Sequence, residues 1–143
     1  DLVLEKPDAI IDFKRGGVNY RRDELAGGTA LQLAVYGHLV REKEAASFPP
    51  VAYLMLRAGH LMTVAPEAFP DAHVIDGPAP EETWIAFKKS FKEIWVELQD
   101  GSVNAWGNDP DGPQKSELSD DKICLEPCKF CDLSILCGQA FSG

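Results

Sequence analysis

Asp12 and Lys14 stand two residues apart in the run Ala9-Ile10-Ile11-Asp12-Phe13-Lys14. The run is rich in β-branched residues, which suit a pleated strand. In a strand, positions two apart share a face, so the carboxylate and the ammonium sit side by side while Phe13 points the other way. Burying charge is unfavourable unless it is paired or binds metal, so this pair near a core needs a reason. Leu2-Val3-Leu4 is an earlier apolar run, and Lys6-Pro7-Asp8 between the two supplies turn chemistry. A hairpin of this length brings Asp1 across from Asp12. Asp1, Asp12 and the Phe13 carbonyl can then hold a hard cation, Mg²⁺ or Mn²⁺, with water completing its octahedron. Lys14 can orient or deprotonate an attacking water beside it. The alternative is a surface hairpin that ends in a salt bridge.

A basic cluster follows directly. Arg15-Gly16-Gly17 lets the backbone leave the strand sharply, and Tyr20, Arg21 and Arg22 come next. One reading is phosphate contact by Arg15, Arg21 and Arg22, with Tyr20 stacked on a base. The other is a solvated loop whose arginines pair with Asp23 and Glu24.

Gly27-Gly28-Thr29 marks a helix start, with Thr29 as N-cap. From Ala30 to about Ala46 a helical stripe runs through Leu31, Ala34, Val35, His38 and Leu39. Gln32 and Tyr36 are four apart, so they share a face beside that stripe. His38 reads as a helix-surface histidine. Ser47-Phe48-Pro49-Pro50 breaks the helix. Val51 to Leu56 reads as a buried strand, Ala58-Gly59 as a turn and His60 to Val64 as a second strand, a hairpin with His60 exposed at its turn. Ala65 to Pro80 reads as an irregular connection, with His73 in it lacking an obvious partner.

Glu81 to Gln99 is the second long helix. Glu81 and Glu82 favour its N-terminus through the dipole. Trp84, Phe87, Phe91, Ile94, Trp95 and Leu98 recur at helical spacing, a stripe expected to lie in the core. Lys88, Lys89 and Lys92 flank it, where they can touch a DNA backbone, although a solvated face is the preferred reading. Val103 to Asp121 is acidic and rich in Gly and Pro, hence a loop, with Trp106 pinning it to the body.

Four cysteines crowd the last twenty residues: Cys124, Cys128, Cys131 and Cys137, separated by three, two and five residues. Thiolates this close can share a cluster or a zinc ion. A disulfide framework would spread through the fold, so ligation in a reducing compartment is the expectation, with unligated thiols as the alternative.

At 143 residues, 45% hydrophobic and 26% charged, the chain reads as one soluble globular domain with no signal peptide and no membrane span, and a cytoplasmic location is expected. The net charge of −9 argues against a stand-alone nucleic-acid binder. The chain opens abruptly on a strand, which suggests a piece of something longer.

These motifs, in this order, resemble the PD-(D/E)XK nuclease superfamily: Asp1, then Ile-Ile-Asp12-Phe-Lys14, then Gln32-x-x-x-Tyr36. The closing run from Cys128 through Cys131 to Cys137 resembles the iron–sulfur branch, most of all the C-terminal nuclease domain of the AddB family of AddAB helicase–nucleases. The resemblance implies an α/β restriction-endonuclease-like core with a central mixed sheet, flanking helices and a cysteine-rich tail. Residues 1–102 would form the core, 103–122 a loop and 123–143 the tail. It implies Mg²⁺-dependent hydrolysis of DNA in recombination and double-strand-break repair, with a helicase–nuclease partner subunit. Asp1, Asp12, Lys14, Gln32 and Tyr36 would be the catalytic group. Cys128, Cys131 and Cys137 would be three ligands of a [4Fe–4S] cluster whose fourth comes from upstream. Cys124 is extra to that pattern, and a structural zinc site using all four is the runner-up. A helix preceding the first catalytic strand often adds a ligand in the family, so residues 1–143 alone are expected to be inactive. The rival functions are a catalytically silent DNA-binding or scaffold domain of the same fold, and an unrelated metal-binding module whose Asp-x-Lys is coincidental.

Overall fold

A computed structural model of the chain describes residues 9–44, 47–102, 117–119 and 122–124. Their elements run in the order β1 (Ile10–Lys14), α1 (Val18–Ala26), α2 (Leu31–Glu44), β2 (Val51–Met55), β3 (His60–Thr63), β4 (His73–Val74), α3 (Pro80–Gln99), β5 (Glu117–Ser119) and β6 (Lys122–Cys124). Strands β1 to β4 form one sheet in sequence order, parallel between β1 and β2, antiparallel between β2 and β3, and parallel between β3 and β4. The expected hairpin partner of β1, Leu2–Leu4, lies outside the described residues.

Parallel neighbours need a crossover, and α1 and α2 supply it between β1 and β2. The core gathers where that crossover meets the sheet: Ile10, Leu25, Ala30, Leu33, Val51, Tyr53, Met55 and Met62. β2 is its floor, buried at Val51, Ala52, Tyr53 and Met55, as its unbroken apolar run requires. Gly37 on α2 is packed so closely that a Cβ there would collide with the Phe48 ring.

Helix α1 stands where a loop was expected. Gly17, at φ 82, turns the chain out of β1 in a conformation glycine adopts without strain. The helix buries only Leu25, so it carries no apolar stripe for periodicity to detect.

Helix α3 is seated on α2 through its first two turns. Thr83 Oγ1 donates to the Gly28 carbonyl at 3.0 Å, Arg41 pairs with Glu81 at 2.7 Å, and His38 stacks on Trp84 with centroids 4.1 Å apart. His38 is therefore an interhelical packing residue rather than a surface one. The expected core role of the aromatic stripe holds only at this end. Phe91, Ile94, Trp95 and Leu98 are exposed, because apolar spacing defines a face without fixing how much of its length a neighbour covers.

His60 and His73 also differ from expectation. They stack on one another with centroids 4.2 Å apart, His73 being part of β4 in the stretch read as irregular. β5 likewise lies in the stretch read as loop, and it pairs antiparallel with β6, which leads into the stretch read as tail. Among the described residues no helix is long and apolar enough to cross a membrane.

Candidate active site

β1 alternates, with Ile10, Asp12 and Lys14 on one face. Ile10 joins the core on that face, which carries Asp12 inward with it. The Asp12 side chain is 1% exposed. Lys14 Nζ lies 2.8 Å from Oδ2, an ion pair, and among the described residues neither Asp12 oxygen has a further hydrogen-bond partner. Buried carboxylates are ordinarily satisfied, so this one stands out.

Lys14 Nζ donates to Gln32 Oε1 at 2.6 Å, and Gln32 Nε2 donates to the Tyr36 hydroxyl at 2.9 Å. The ammonium can only donate, which fixes the amide oxygen toward it and the amide nitrogen toward Tyr36. The helical spacing of Gln32 and Tyr36 thus becomes a single relay from α2 to the strand. Four of the expected residues, Asp12, Lys14, Gln32 and Tyr36, meet at one place. Asp1 lies outside the described residues.

Phe13 is placed by the ladder. Ile10 N–H donates to the Pro50 carbonyl at 2.8 Å, and the Lys14 carbonyl accepts from Leu56 N–H at 2.9 Å. Amide groups alternate sides along a strand, so Ile10, Asp12 and Lys14 turn theirs toward β2. The Phe13 carbonyl is left on the opposite edge, which no described strand covers. A buried carboxylate and a carbonyl on an edge that no described strand covers are oxygen donors of the kind Mg²⁺ or Mn²⁺ takes. Among the described residues, no three His, Cys, Asp or Glu side chains gather into a metal cage. The fit therefore rests on Asp12 and the Phe13 carbonyl.

Two residues that sequence reading did not place here adjoin the site. Tyr53 is the register partner of Asp12 and is fully buried. Its ring lies 5.8 Å from Lys14 Nζ, and its hydroxyl donates to Glu24 Oε2 at 3.3 Å. Burial pushes the phenol pKa up, and the Glu24 carboxylate adds to the rise, so Tyr53 stays a donor. The available signal was a tyrosine inside an otherwise aliphatic strand, since a buried phenol needs a partner.

Of the basic cluster, Arg21 is the part that is fixed. Its Nη1 donates to Glu24 Oε2 at 2.6 Å, and its guanidinium lies 4.9 Å from the Tyr20 ring and 5.5 Å from the Tyr53 ring. Burial opposes its charge, but Glu24 and Tyr53 together outweigh burial and raise the pKa. Arg22 is half exposed and pairs with Asp23 at 3.5 Å, while Arg15 and Tyr20 are exposed. The pairing of arginines with Asp23 and Glu24 is thus present, on a helix rather than a loop. Cys124 closes β6; Cys128, Cys131 and Cys137 lie outside the described residues.

A family model described as the PD-(D/E)XK nuclease superfamily matches residues 1–138. No curated protein and no solved structure matches the chain significantly.

Proposed function

The chain belongs to the PD-(D/E)XK nuclease superfamily, and from that footing we propose that it hydrolyses DNA phosphodiester bonds with Mg²⁺ or Mn²⁺. The observation that carries this reading is Asp12: a buried carboxylate whose one partner among the described residues is an ammonium at 2.8 Å that α2 holds in place. A bound divalent cation supplies positive charge to the scissile phosphate and lowers the pKa of water. Asp12 and the Phe13 carbonyl would hold it, with Asp1 as the further carboxylate.

The chain's own groups do the rest. Lys14 has three N–H donors; Gln32 takes one and Asp12 holds the ammonium by charge. That leaves donor capacity for the attacking water or a phosphate oxygen, where fixed positive charge opposes the negative charge that develops. Gln32 stops the ammonium from swinging away, and Tyr36 fixes which end of the Gln32 amide faces it. Arg21, with Arg15, Arg22 and Tyr20 close to it in sequence, would contact the DNA strand.

The finer assignment follows the resemblance. It is an AddB-type exonuclease domain of a cytoplasmic helicase–nuclease, acting with a partner subunit in recombination and double-strand-break repair. Its [4Fe–4S] cluster would be held by Cys128, Cys131 and Cys137, with zinc at those residues and Cys124 as the competing ligation. The test is degradation of linear DNA by the longest natural form of the protein, with and without Asp12→Ala. Metal-dependent cleavage lost in the variant is expected. Equal cleavage by the two would overturn the assignment, and no cleavage by either would leave the silent scaffold.

A further inference from the structure

Arg21 is held from three sides. Glu24 Oε2 accepts from its Nη1 at 2.6 Å, and the rings of Tyr20 and Tyr53 lie 4.9 and 5.5 Å from its central carbon. Glu24 is itself held, because the same oxygen accepts from the Tyr53 hydroxyl at 3.3 Å. The Arg21 side chain is 24% exposed, so part of the guanidinium still faces solvent. Tyr53 ties this group to the reaction centre. It is the register partner of Asp12, and Lys14 Nζ and the Arg21 guanidinium flank its one ring at 5.8 and 5.5 Å.

We propose that Glu24 and Tyr53 are positioning residues for Arg21, holding its guanidinium as a fixed contact for a DNA backbone phosphate beside the one at Lys14. This rests on the nuclease reading above. A free surface arginine loses side-chain entropy when it grips a phosphate; one already braced loses less. The planar fork leaves donors for a phosphate after one has gone to Glu24. The exposed, loosely paired Arg22 lacks this bracing and serves as the internal contrast.

The sign of one substitution separates bracing from simple charge. Glu24→Ala removes a negative charge near a polyanion, and electrostatics alone predicts tighter DNA binding. Bracing predicts weaker binding, because Arg21 is released.

The experiment is fluorescence anisotropy with a labelled single-stranded oligonucleotide in EDTA across a salt series. Arg21→Gln should weaken Kd about tenfold, the scale of one charged hydrogen bond. It should also reduce the slope of log Kd against log salt by about 0.7, one phosphate contact on a single strand. Glu24→Ala and Tyr53→Phe should both weaken Kd, whereas Arg22→Gln should do so less than Arg21→Gln. Mn²⁺ calorimetry on Glu24→Ala should match the unsubstituted protein; a lost isotherm would make Glu24 a metal ligand and overturn the positioning role. Tighter or unchanged DNA binding in both Glu24→Ala and Tyr53→Phe would overturn it too. If Glu24→Ala fails to fold, Tyr53→Phe decides, since it deletes one hydroxyl. Wild-type protein that binds DNA with the Arg21-dependent slope yet never cleaves would keep this inference and remove the nuclease reading. Cleavage lost in Asp12→Ala with an unchanged Arg21→Gln slope would do the reverse.

Discussion

Lys14 Nζ lies 2.6 Å from Gln32 Oε1, closer than the 2.8 Å that separates it from Asp12 Oδ2 on its own strand. The ammonium is therefore held across the fold, by a helix, as closely as it is held along β1. That contact ties Gln32 to Lys14 and, through it, to Asp12, so the proposed site extends onto α2.

Replacing Gln32 should accordingly act through Lys14. Gln32→Leu keeps the size and removes the acceptor, and cleavage should fall about 10–100-fold, the usual scale for losing a supporting partner. Tyr36→Phe removes one hydrogen bond of about 1 kcal/mol, so its effect should be several-fold at most. Steady-state kinetics on both variants checks this. A larger loss in Tyr36→Phe than in Gln32→Leu would put the order of the relay wrong.

Metal should stabilise the fold through Asp12. With Mn²⁺ at about 100 times its Kd, a single site adds about 2.7 kcal/mol. Thermal melts should therefore shift upward with Mn²⁺, and Asp12→Asn should abolish that shift. Without metal, Asp12→Asn should itself melt lower than the unsubstituted protein, because it leaves the part-buried Lys14 ammonium without its ion-pair partner. A full Mn²⁺ shift surviving in Asp12→Asn would place the cation elsewhere.

Alkaline pH should weaken the fold through Tyr53. Its pKa is raised in the folded state, first by burial and then by Glu24, above an ordinary value of 10.0. The unfolded chain therefore loses this proton first. The contribution is fully present below about pH 10 and is lost as pH rises beyond it, by at most about 1.4 kcal/mol per pH unit. Urea unfolding at pH 8 and pH 11 should show a steeper loss in the unsubstituted protein than in Tyr53→Phe. Parallel losses would mean that Tyr53 titrates alike in both states.

Gly37→Ala tests the packing of α2 alone. The added Cβ would meet the Phe48 ring. Crowding of this kind costs about 1–3 kcal/mol, which urea unfolding would register as a lower midpoint with an unchanged slope. A midpoint equal to the unsubstituted protein's would show that the ring moves aside freely.

The sequence carried the grouping of Asp12, Lys14, Gln32 and Tyr36 better than it carried the surroundings. Gln32 and Tyr36 were legible because helical spacing alone puts them on one face. Asp12 and Lys14 were legible because strand spacing does the same. Val51 to Met55 announced itself by an unbroken apolar run. Helix α1 did not, since its hold on the body is Leu25 and a set of polar contacts that leave no period. Glu24 was visible only as a pairing partner for arginine. Its link to Tyr53 spans 29 positions and needs the sheet register to be known. The histidines were misread for the same reason: His38 meets Trp84, and His60 meets His73, only after distant elements have docked.

The parallel pairing of β1 with β2 also sets when the site can exist. Asp12 and Tyr53 come together only after the chain has closed a long excursion through both α1 and α2. Closing such a loop is entropically unfavourable until the pairing that rewards it is in place, and contacts of this separation form slowly. The helices can flicker in and out beforehand, but the cradle around Asp12 cannot be half built. Cations in the refolding buffer would then find little to grip on the way up the barrier. They would slow the return journey instead, lengthening the life of the native state while leaving the speed of its making almost untouched.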